Sequence, residues 1–463
     1  MIIAIRRHGL SAVPPYETQE NAQRMSAMIV KLRTAVRSLL ERGFFHIVIG
    51  NTLVKFISFC AAIFLPQIIT PESRYGMLAT VDNVNSYLIL LNGIGLSNSV
   101  LRFCSMEDSS SSVKSSIFRF CLRVGLLANG VMLLVYLPLL LSPVFSGGNY
   151  GAARLYILIA CLIPTLTFAM DIALVFMRAN LMNQVFSKIS VVYTLLYAGF
   201  QILFALLFSL TGAFIGRYIA LAATAALCII LLRRKGALLP ESEPISRDLK
   251  IKILRYGLGT MVINSLSLIM PQNETLVVNL VLKDLTTTAY YKAASMIPSN
   301  LQYIATSVVV FIYPYFARHT GDGAWLRKNV LRVILGMMAI MIPVIGAGYL
   351  ISPPLIHFVY GQAYAPALLI MRPMWIAFGI NAILRVPLGN ILAALGELRF
   401  NIILSAAMCV LHLGLDYYFI SRMGIGGAAY ALMIVYTIAG VASLVYLLYG
   451  CSRKWTGRSE PGM

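Results

Sequence analysis

One long apolar segment of the sequence, residues 256–281, carries a regular series of polar residues. Thr260, Asn264, Ser267, Pro271 and Glu274 occur at i, i+4, i+7, i+11 and i+14, which places them on one face of a helix. Pro271 has no N–H and leaves a carbonyl one turn earlier without its helical partner. In hydrocarbon, such groups are tolerated where protein or a watered cavity satisfies them. The pattern predicts a cavity wall; the alternative is a buried helix–helix contact held by amides.

Lys55 lies near the middle of another apolar segment, residues 44–65, and shares a helical face with Asn51 and Ser58. An ionisable side chain at the centre of a bilayer costs at least ~2.5 kcal/mol, so it is a functional candidate by default. One interpretation is contact with a substrate or a coupling ion. The other is an inward-facing lysine that pairs with a carboxylate for assembly alone.

Further polar residues in apolar segments extend this set. Asp82 and Asn85 lie in residues 76–99, and Arg102 follows that segment at its predicted cytoplasmic end. Arg217 lies near the predicted outer end of its segment, where snorkelling to the headgroups explains it nearly as well as function does. Arg385 lies nearer the middle of its segment and is the better candidate for binding an anion.

His412 and Asp416 are i, i+4 neighbours in the segment 400–420. Such a pair could relay protons, but its position near the predicted outer interface favours a plain hydrogen bond. Elsewhere the sequence has no phosphate-binding G-x-x-x-x-G-K-[ST] motif, no metal-ligand spacing and no nucleophile–base pair. The seven cysteines form no C-x-x-C pair. We therefore expect no catalytic residues, no metal, no cofactor and a protein that is not an enzyme.

The elements that position these residues are predicted to be transmembrane helices. The chain is 59% hydrophobic and 12% charged, with a mean hydropathy of +0.81, whereas soluble domains carry about 25% charged residues. A bilayer-crossing helix needs about 20 mostly apolar residues, and twelve segments meet this need. They are 44–65, 76–99, 117–141, 154–176, 189–210, 212–232, 256–281, 291–314, 330–351, 373–394, 400–420 and 425–450.

The formal charge of +20 reflects orientation in the membrane rather than nucleic-acid binding. Most of the 37 Lys and Arg residues fall in segments that are cytoplasmic when the N-terminus is cytoplasmic. The positive-inside rule therefore places both termini in the cytoplasm. Six segments precede the polar stretch 233–255 and six follow it, so we expect two halves related by an axis along the membrane normal.

The predicted domain organisation has five parts. Residues 1–43 form a basic cytoplasmic tail whose last part is an amphipathic helix, and Met25 or Met28 could be the true start. Residues 44–232 form the N-terminal half, 233–255 the central cytoplasmic loop, 256–450 the C-terminal half and 451–463 a cytoplasmic tail. The fold class is an all-α polytopic membrane protein of about 12 helices, in two six-helix halves around a central cavity.

Five stretches, in this order, resemble the polysaccharide-biosynthesis flippases (Wzx-like) of the multidrug/oligosaccharidyl-lipid/polysaccharide exporter superfamily. They are "LPQIITPESRYG" (65–76), "LNGIGLSNSVLRF" (91–103), "ETLVVNLVLKDLTTTAYYKAASMIP" (274–298), "VYGQAYAPALLIMRP" (359–373) and "LAALGELRFNIILSAAMCVLHLGLDYYFISRMGIGGAAYA" (392–431). The resemblance covers about residues 40–450 and implies a MATE-like arrangement of helices. Glu274 stands where the family usually has Asp.

The resemblance implies a flippase that moves undecaprenyl-pyrophosphate-linked oligosaccharides across the bacterial inner membrane by alternating access, as a monomer among membrane lipids. A polysaccharide polymerase and a chain-length regulator are the implied protein partners. The expected cavity residues are Lys55, Asn51, Arg385, Arg217, Arg102, Asn264, Glu274 and Asn85, and the coupling-ion candidates are Glu274 and Asp82. Glu274 could also pair with Lys55 in the empty state. The alternatives are a cation-coupled multidrug exporter, a flippase for lipid-linked peptidoglycan precursors and a membrane polymerase or ligase.

Overall fold

The computed structural model describes residues 44–106, 110–143, 146–239, 243–319 and 322–451. All regular elements in these ranges are helices. They are α1 (Phe44–Ile68), α2 (Glu72–Leu90), α3 (Leu96–Cys104), α4 (Ser111–Leu141), α5 (Gly148–Ala160), α6 (Ile163–Ala179), α7 (Asn183–Arg234), α8 (Arg247–Leu268), α9 (Met270–Val281), α10 (Leu285–Ser299), α11 (Leu301–Arg318), α12 (Gly323–Val359), α13 (Leu368–Ile380), α14 (Val386–Ala394), α15 (Leu398–Met423) and α16 (Gly426–Val445). Short 3₁₀ turns (Asn92–Gly95, Gln362–Ala367) and π turns (Asn381–Arg385, Tyr446–Cys451) interrupt or extend them. The tail predicted at 1–43 lies outside the described residues, and so does all of the tail predicted at 451–463 except Cys451.

The described helices form a polytopic membrane protein. Eight helical stretches, some of which join two of these helices, are long and apolar enough to cross a bilayer, or nine if the bent pair α5–α6, with its 43° bend, is one span. Large apolar side chains such as Leu127, Leu134, Leu350 and Val410 are exposed on the outer surface, as a lipid-facing surface requires. The all-α membrane fold is confirmed, while the count of twelve spans stays a prediction.

Helix α7 is a hairpin of two predicted spans, although its helical hydrogen bonding is nearly continuous over 52 residues. The backbone leaves the helical region at Phe208 and Ser209, where Ser209 has φ 54°. A Cβ added to Gly212 would lie 1.8 Å from the carbonyl oxygen of Phe204, and one added to Gly216 would lie 2.3 Å from that of Phe200. The two arms are therefore antiparallel and in close contact, which glycine alone permits.

Several of the predicted spans are broken rather than continuous, and two of the breaks lie in helices where the halves meet. The span that contains α2 and α3 is interrupted at Gly93 and Gly95, which have φ of 54° and 72°. The span that contains α8 and α9 is interrupted at Ile269, and Pro271 lies in the first turn of α9. Asn83 Nδ2 donates to the backbone carbonyl of Gln272 at 2.8 Å. A polar side chain from α2 thus satisfies part of the broken segment.

The two halves meet along α2, α3, α8 and α10. Helix α2 packs along α10, and a Cβ at Gly76 would lie 1.8 Å from the carbonyl oxygen of Leu285. At the predicted cytoplasmic end α3 packs on α8, where Ser99 Oγ donates to the carbonyl of Ile253 at 2.8 Å. Within the first half, α1 packs along α7. These contacts leave a cavity between the halves that α1, α2, α7 and α10 surround.

The connection between the halves is shorter than the expected loop 233–255, because α8 already begins at Arg247 with Ser246 as its N-cap. Its described part lies against the start of α4. Ser115 Oγ accepts a hydrogen bond from the backbone N–H of Leu239 at 3.1 Å, and Ser112 Oγ accepts one from that of Glu243 at 3.0 Å. The serine-rich start of α4 therefore holds the connection on the first half.

Candidate functional site

Asp82 on α2 and Arg217 on the second arm of α7 form a two-point ion pair. Arg217 Nη1 donates to Asp82 Oδ1 in a short contact, and Arg217 Nη2 donates to Asp82 Oδ2 at 2.9 Å. The Arg217 side chain is 7% exposed and that of Asp82 is 33% exposed. The expectation that Arg217 could snorkel to the headgroups is wrong, because its guanidinium is buried against a carboxylate of the neighbouring helix.

Arg217 is also surrounded by the Gln201 amide and by two aromatic rings. With the Gln201 amide oriented so that its oxygen faces Arg217, this oxygen lies 3.2 Å from Nε and 2.9 Å from Nη2. The rings of Tyr197 and Phe214 lie 5.7 and 5.5 Å from the guanidinium carbon, within the range of a cation–π contact. Arg217 is thus held by hydrogen bonds and aromatic rings on several sides, which fixes the direction in which it points.

The ion pair lines a cavity of about 230 Å³ between the halves. Ser58 of α1, Tyr75 of α2, and Tyr197 and Gln201 of α7 belong to its wall, and Lys292 and Met296 of α10 close it from the second half. Lys292 lies inside α10, and it makes no ion pair with another described residue. The cavity wall therefore carries one negative and two positive side chains.

Glu274 belongs to a different cluster, in the second half. It is 2% exposed and accepts a short hydrogen bond from the hydroxyl of Tyr291. His412 Nε2 lies 3.7 Å from Glu274 Oε1 and 3.2 Å from Asp416 Oδ2. One ligand atom from each of Glu274, His412 and Asp416 lies within 4.8 Å of the others, which is close enough to hold a metal ion. Two carboxylates with one imidazole attract a cation or share protons.

This cluster changes one expectation. No metal-ligand set was predicted from the sequence, because Glu274 and His412 come from helices far apart in the chain. Their contact follows from the packing of α9 on α15. His412 and Asp416, for which a plain hydrogen bond was the favoured prediction, are both fully buried, and His412 Nε2 lies 3.2 Å from Asp416 Oδ2. The i, i+4 spacing of His412 and Asp416 was a usable signal in the sequence, whereas no local pattern indicated Glu274 as the third ligand.

Lys55 does not pair with Glu274 in this structure. Lys55 is exposed, and its Nζ lies 4.0 Å from the centre of the Tyr303 ring. Tyr303 belongs to α11 of the second half and is itself exposed. Lys55 therefore faces the space between α1 and α11, where a cation–π contact joins the halves.

The predicted polar face of residues 256–281 is not one face. Asn264 on α8 is exposed, Thr260 is half-buried and its hydroxyl donates to the carbonyl of Gly257, and Glu274 on α9 is buried. The interruption at Ile269 lets the two parts face different neighbours. The idea of a single cavity wall along this span is therefore wrong, since α9 forms polar contacts inside the protein instead.

Asn279 on α9 is the centre of a buried amide network that the sequence did not indicate. Its Oδ1 accepts hydrogen bonds from Thr80 Oγ1 at 3.1 Å, Asn149 Nδ2 at 2.8 Å and Thr288 Oγ1 at 2.8 Å. These donors come from α2, α5 and α10, so the network ties α9 to three neighbouring helices. Hydrogen bonds of this kind between helices stabilise their packing in a membrane.

Arg385 lies in a second cavity, of about 240 Å³, inside the C-terminal half. It ends the π turn Asn381–Arg385, a local widening that often occurs at functional sites. Asn390, Asn401, Ser405 and Ser443 line the same cavity. The centre of the Tyr436 ring lies 5.8 Å from the guanidinium carbon. Arg385 and Arg217 thus line different cavities, and Lys55 lines neither of them.

The remaining expected residues take varied places. Asn85 is buried, and its Nδ2 has no hydrogen-bond partner among the described atoms. Arg102 is exposed and its guanidinium carbon lies 4.5 Å from the centre of the Tyr256 ring, at the contact of α3 with α8. The side chain of Asn51 lies outside the described part of the structure.

The structure is similar to solved transporters over most of its length. It matches an inward-facing multidrug resistance MATE family transporter of the MOP superfamily with a TM-score of 0.70, 15% identity, and coverage of 88% of this chain and 96% of that chain. It matches the lipid II flippase MurJ, in an inward closed conformation, with a TM-score of 0.63, 15% identity, and coverage of 88% and 90%. The chain therefore shares the fold of these two transporters.

Sequence comparison gives the family. A model described as polysaccharide biosynthesis protein matches residues 64–369, well over half of the chain. The chain belongs to this polysaccharide biosynthesis protein family, so the resemblance found in its motifs is confirmed. It is also 28% identical over 142 residues to a putative O-antigen transporter of Shigella flexneri. That match covers 30% of this chain and spans about a third, 34%, of the relative's length.

Proposed function

We propose that the protein is a flippase that moves an undecaprenyl-pyrophosphate-linked oligosaccharide from the cytoplasmic to the periplasmic leaflet of the bacterial inner membrane. The observation that carries this proposal is the cavity between the halves, whose wall includes Arg217 of the first half and Lys292 of the second half. A diphosphate needs cations where it leaves water. The family and the fold support a transporter for polysaccharide synthesis.

The division of the substrate into polar and apolar parts suits this architecture. The sugars and the diphosphate have to cross in a polar space, because burying them in hydrocarbon without partners costs several kcal/mol for each polar group. The polyprenyl chain can stay in lipid. Lys55 lies exposed between α1 and α11, and we assign it to first contact with the anionic headgroup.

Glu274, His412 and Asp416 are the proposed site for a coupling cation, either a proton or a metal ion such as sodium. Two buried carboxylates need a positive charge nearby, and His412 supplies it when protonated. Asp82 was the other coupling candidate, but Arg217 already compensates its charge in this conformation. An alternating-access cycle would then exchange the cation in one half while the substrate occupies the cavity between the halves.

Cation-coupled multidrug export is the second candidate function, and the buried carboxylates of the second half favour it. Such cargo is cationic, however, and the cavity between the halves carries more positive than negative side chains. Anionic cargo therefore fits this cavity better.

The proposal is tested in a strain that lacks the gene and any paralogue. Lipid-linked oligosaccharide is quantified on the cytoplasmic and periplasmic leaflets, and the complementing variants are the wild type and Lys55→Ala. We expect periplasmic delivery to fail in the deletion strain and to return with the wild type. Normal delivery in the deletion strain would overturn the proposal. Delivery by Lys55→Ala equal to that of the wild type would restrict Lys55 to a structural role.

A further inference from the structure

The guanidinium of Arg217 already has an anion, namely Asp82. Both Asp82 oxygens accept from it, and the Gln201 amide lies within hydrogen-bond distance of Nε and Nη2. Little donor capacity is therefore left for another anion. Arg217 cannot bind a phosphate group by two hydrogen bonds while Asp82 stays in place.

The two members of the pair differ in their access to the cavity. The Asp82 side chain is 33% exposed, whereas that of Arg217 is 7% exposed. Asp82 is therefore the partner that can turn away, and Arg217 is the partner that stays fixed between Gln201 and the rings of Tyr197 and Phe214. Lys292 of α10, which also lines the cavity, adds a second positive charge that has no described ion-pair partner.

We propose that Asp82 is an internal competitor for the substrate's diphosphate. An incoming phosphate group displaces Asp82 from Arg217, and the displaced carboxylate takes up one proton from water in the cavity, so anion binding and proton uptake occur together. Arg217 and Lys292 then hold the two phosphate groups. That the anion is a diphosphate rests on the proposed function; the exchange at Arg217 rests on the contacts described above.

The charges that face Asp82 support this exchange. Arg217 and Tyr197 of α7, Tyr75 of α2 and Lys292 of α10 are the titratable or charged groups of the cavity wall, and α1 contributes Ser58 and apolar residues. Among these groups only Asp82 is a carboxylate. Leaving it ionised next to a bound diphosphate would place like charges together, which protonation avoids. Anion affinity should therefore fall as the pH rises.

The test uses the purified full-length protein in lipid nanodiscs with inorganic pyrophosphate as the probe. Binding is measured by calorimetry in two buffers of different ionisation enthalpy at one pH, which counts the protons taken up. We expect Asp82→Asn to bind pyrophosphate about tenfold more tightly than the wild type, and to take up about one proton fewer, as a single carboxylate requires. Protons that pyrophosphate itself exchanges cancel in this difference.

Lys292→Met is the matched control. It should weaken binding in the wild-type and the Asp82→Asn backgrounds by a similar factor and leave the proton difference unchanged. Equal proton uptake by the wild type and Asp82→Asn, or equal or weaker affinity of Asp82→Asn, would overturn the exchange. Infrared difference spectra of the wild type provide a second measurement that needs no variant: pyrophosphate should produce a new protonated-carboxyl band, and its absence would also contradict the proposal.

The outcomes separate this inference from the proposed function. Tighter pyrophosphate binding by Asp82→Asn with normal lipid delivery in the deletion strain would leave the exchange standing and remove the flippase. Loss of lipid delivery in the deletion strain, together with equal proton uptake by the wild type and Asp82→Asn, would support the flippase and overturn the exchange at Arg217.

Discussion

The Arg217 guanidinium donates hydrogen bonds to both carboxylate oxygens of Asp82, which lies 135 positions earlier in the sequence, at the wall of the cavity between the two halves. The pair joins the α7 hairpin to α2, and α2 in turn packs along α10 of the second half. The ion pair thus lies close both to the proposed substrate site and to the contact between the halves.

Replacing Asp82 and replacing Arg217 should destabilise the protein by different amounts. Asp82→Asn removes the charge that compensates a buried guanidinium and should destabilise the protein by on the order of 3 kcal/mol. Arg217→Gln leaves a carboxylate that water in the cavity can solvate, so the loss should be smaller. Thermal unfolding in detergent compares the two variants. Equal losses of thermal stability in the two variants would mean that the difference in side-chain exposure between Asp82 and Arg217 does not determine the cost of breaking the pair.

Glu274 should determine the ion dependence of transport. Glu274→Gln keeps the shape of the side chain but removes one of the two carboxylates around His412, so cation attraction falls. We expect transport by this variant to lose its dependence on sodium or on pH, whichever the wild type shows. Glu397→Gln is the control, because Glu397 bonds to Tyr446 away from this cluster. An unchanged ion dependence in Glu274→Gln would rule out the assigned site.

Gly76 should be needed for the contact between α2 and α10. A Cβ there would lie 1.8 Å from the carbonyl oxygen of Leu285, so Gly76→Ala must push the helices apart. We expect at least a tenfold loss of transport, because a 1 Å displacement can cost that much. Gly130→Ala is the control, since a Cβ at Gly130 meets no atom within 4 Å. Equal transport by the two variants would argue against a required close approach.

Much of the architecture follows from the sequence, because long apolar segments and charged loops determine membrane crossing and orientation independently of tertiary contacts. The hairpin at Ser209 was expected, because the predicted spans 189–210 and 212–232 meet there. The partners of Arg217 and Glu274 were not predictable, since they come from distant helices whose packing no local pattern records. Asn264 and Glu274 looked like one face because the interruption at Ile269 is not visible in residue spacing alone.

Asp284 should make stability depend on pH at the start of α10. Burial opposes its ionisation, but hydrogen bonds from Thr287 and Thr286 outweigh burial, so the pKa of Asp284 is lowered. The backbone N–H groups of Thr286 and Thr287 lie 3.1 and 3.0 Å from its oxygens, as at a helix N-cap. A lowered folded-state pKa adds stability above the unfolded pKa, and this stability is lost as the pH falls through the folded pKa.

Asp284→Ala should therefore cost about 1 kcal/mol at neutral pH, and the difference from the wild type should shrink in acid. Urea or thermal unfolding at several pH values measures this difference. A cost that stays constant down to strongly acidic pH would show that the cap does not act through the ionised carboxylate.

Reconstitution tests the central claim most directly. The full-length protein is inserted into liposomes that contain undecaprenyl-pyrophosphate-linked oligosaccharide, and a sugar-specific reagent that cannot cross the bilayer measures the accessible fraction over time. We predict that the wild-type protein exchanges the lipid between leaflets within the assay, and that a Lys292→Met/Arg217→Gln variant of equal abundance does not. An accessible fraction no different from that of protein-free liposomes would contradict the account.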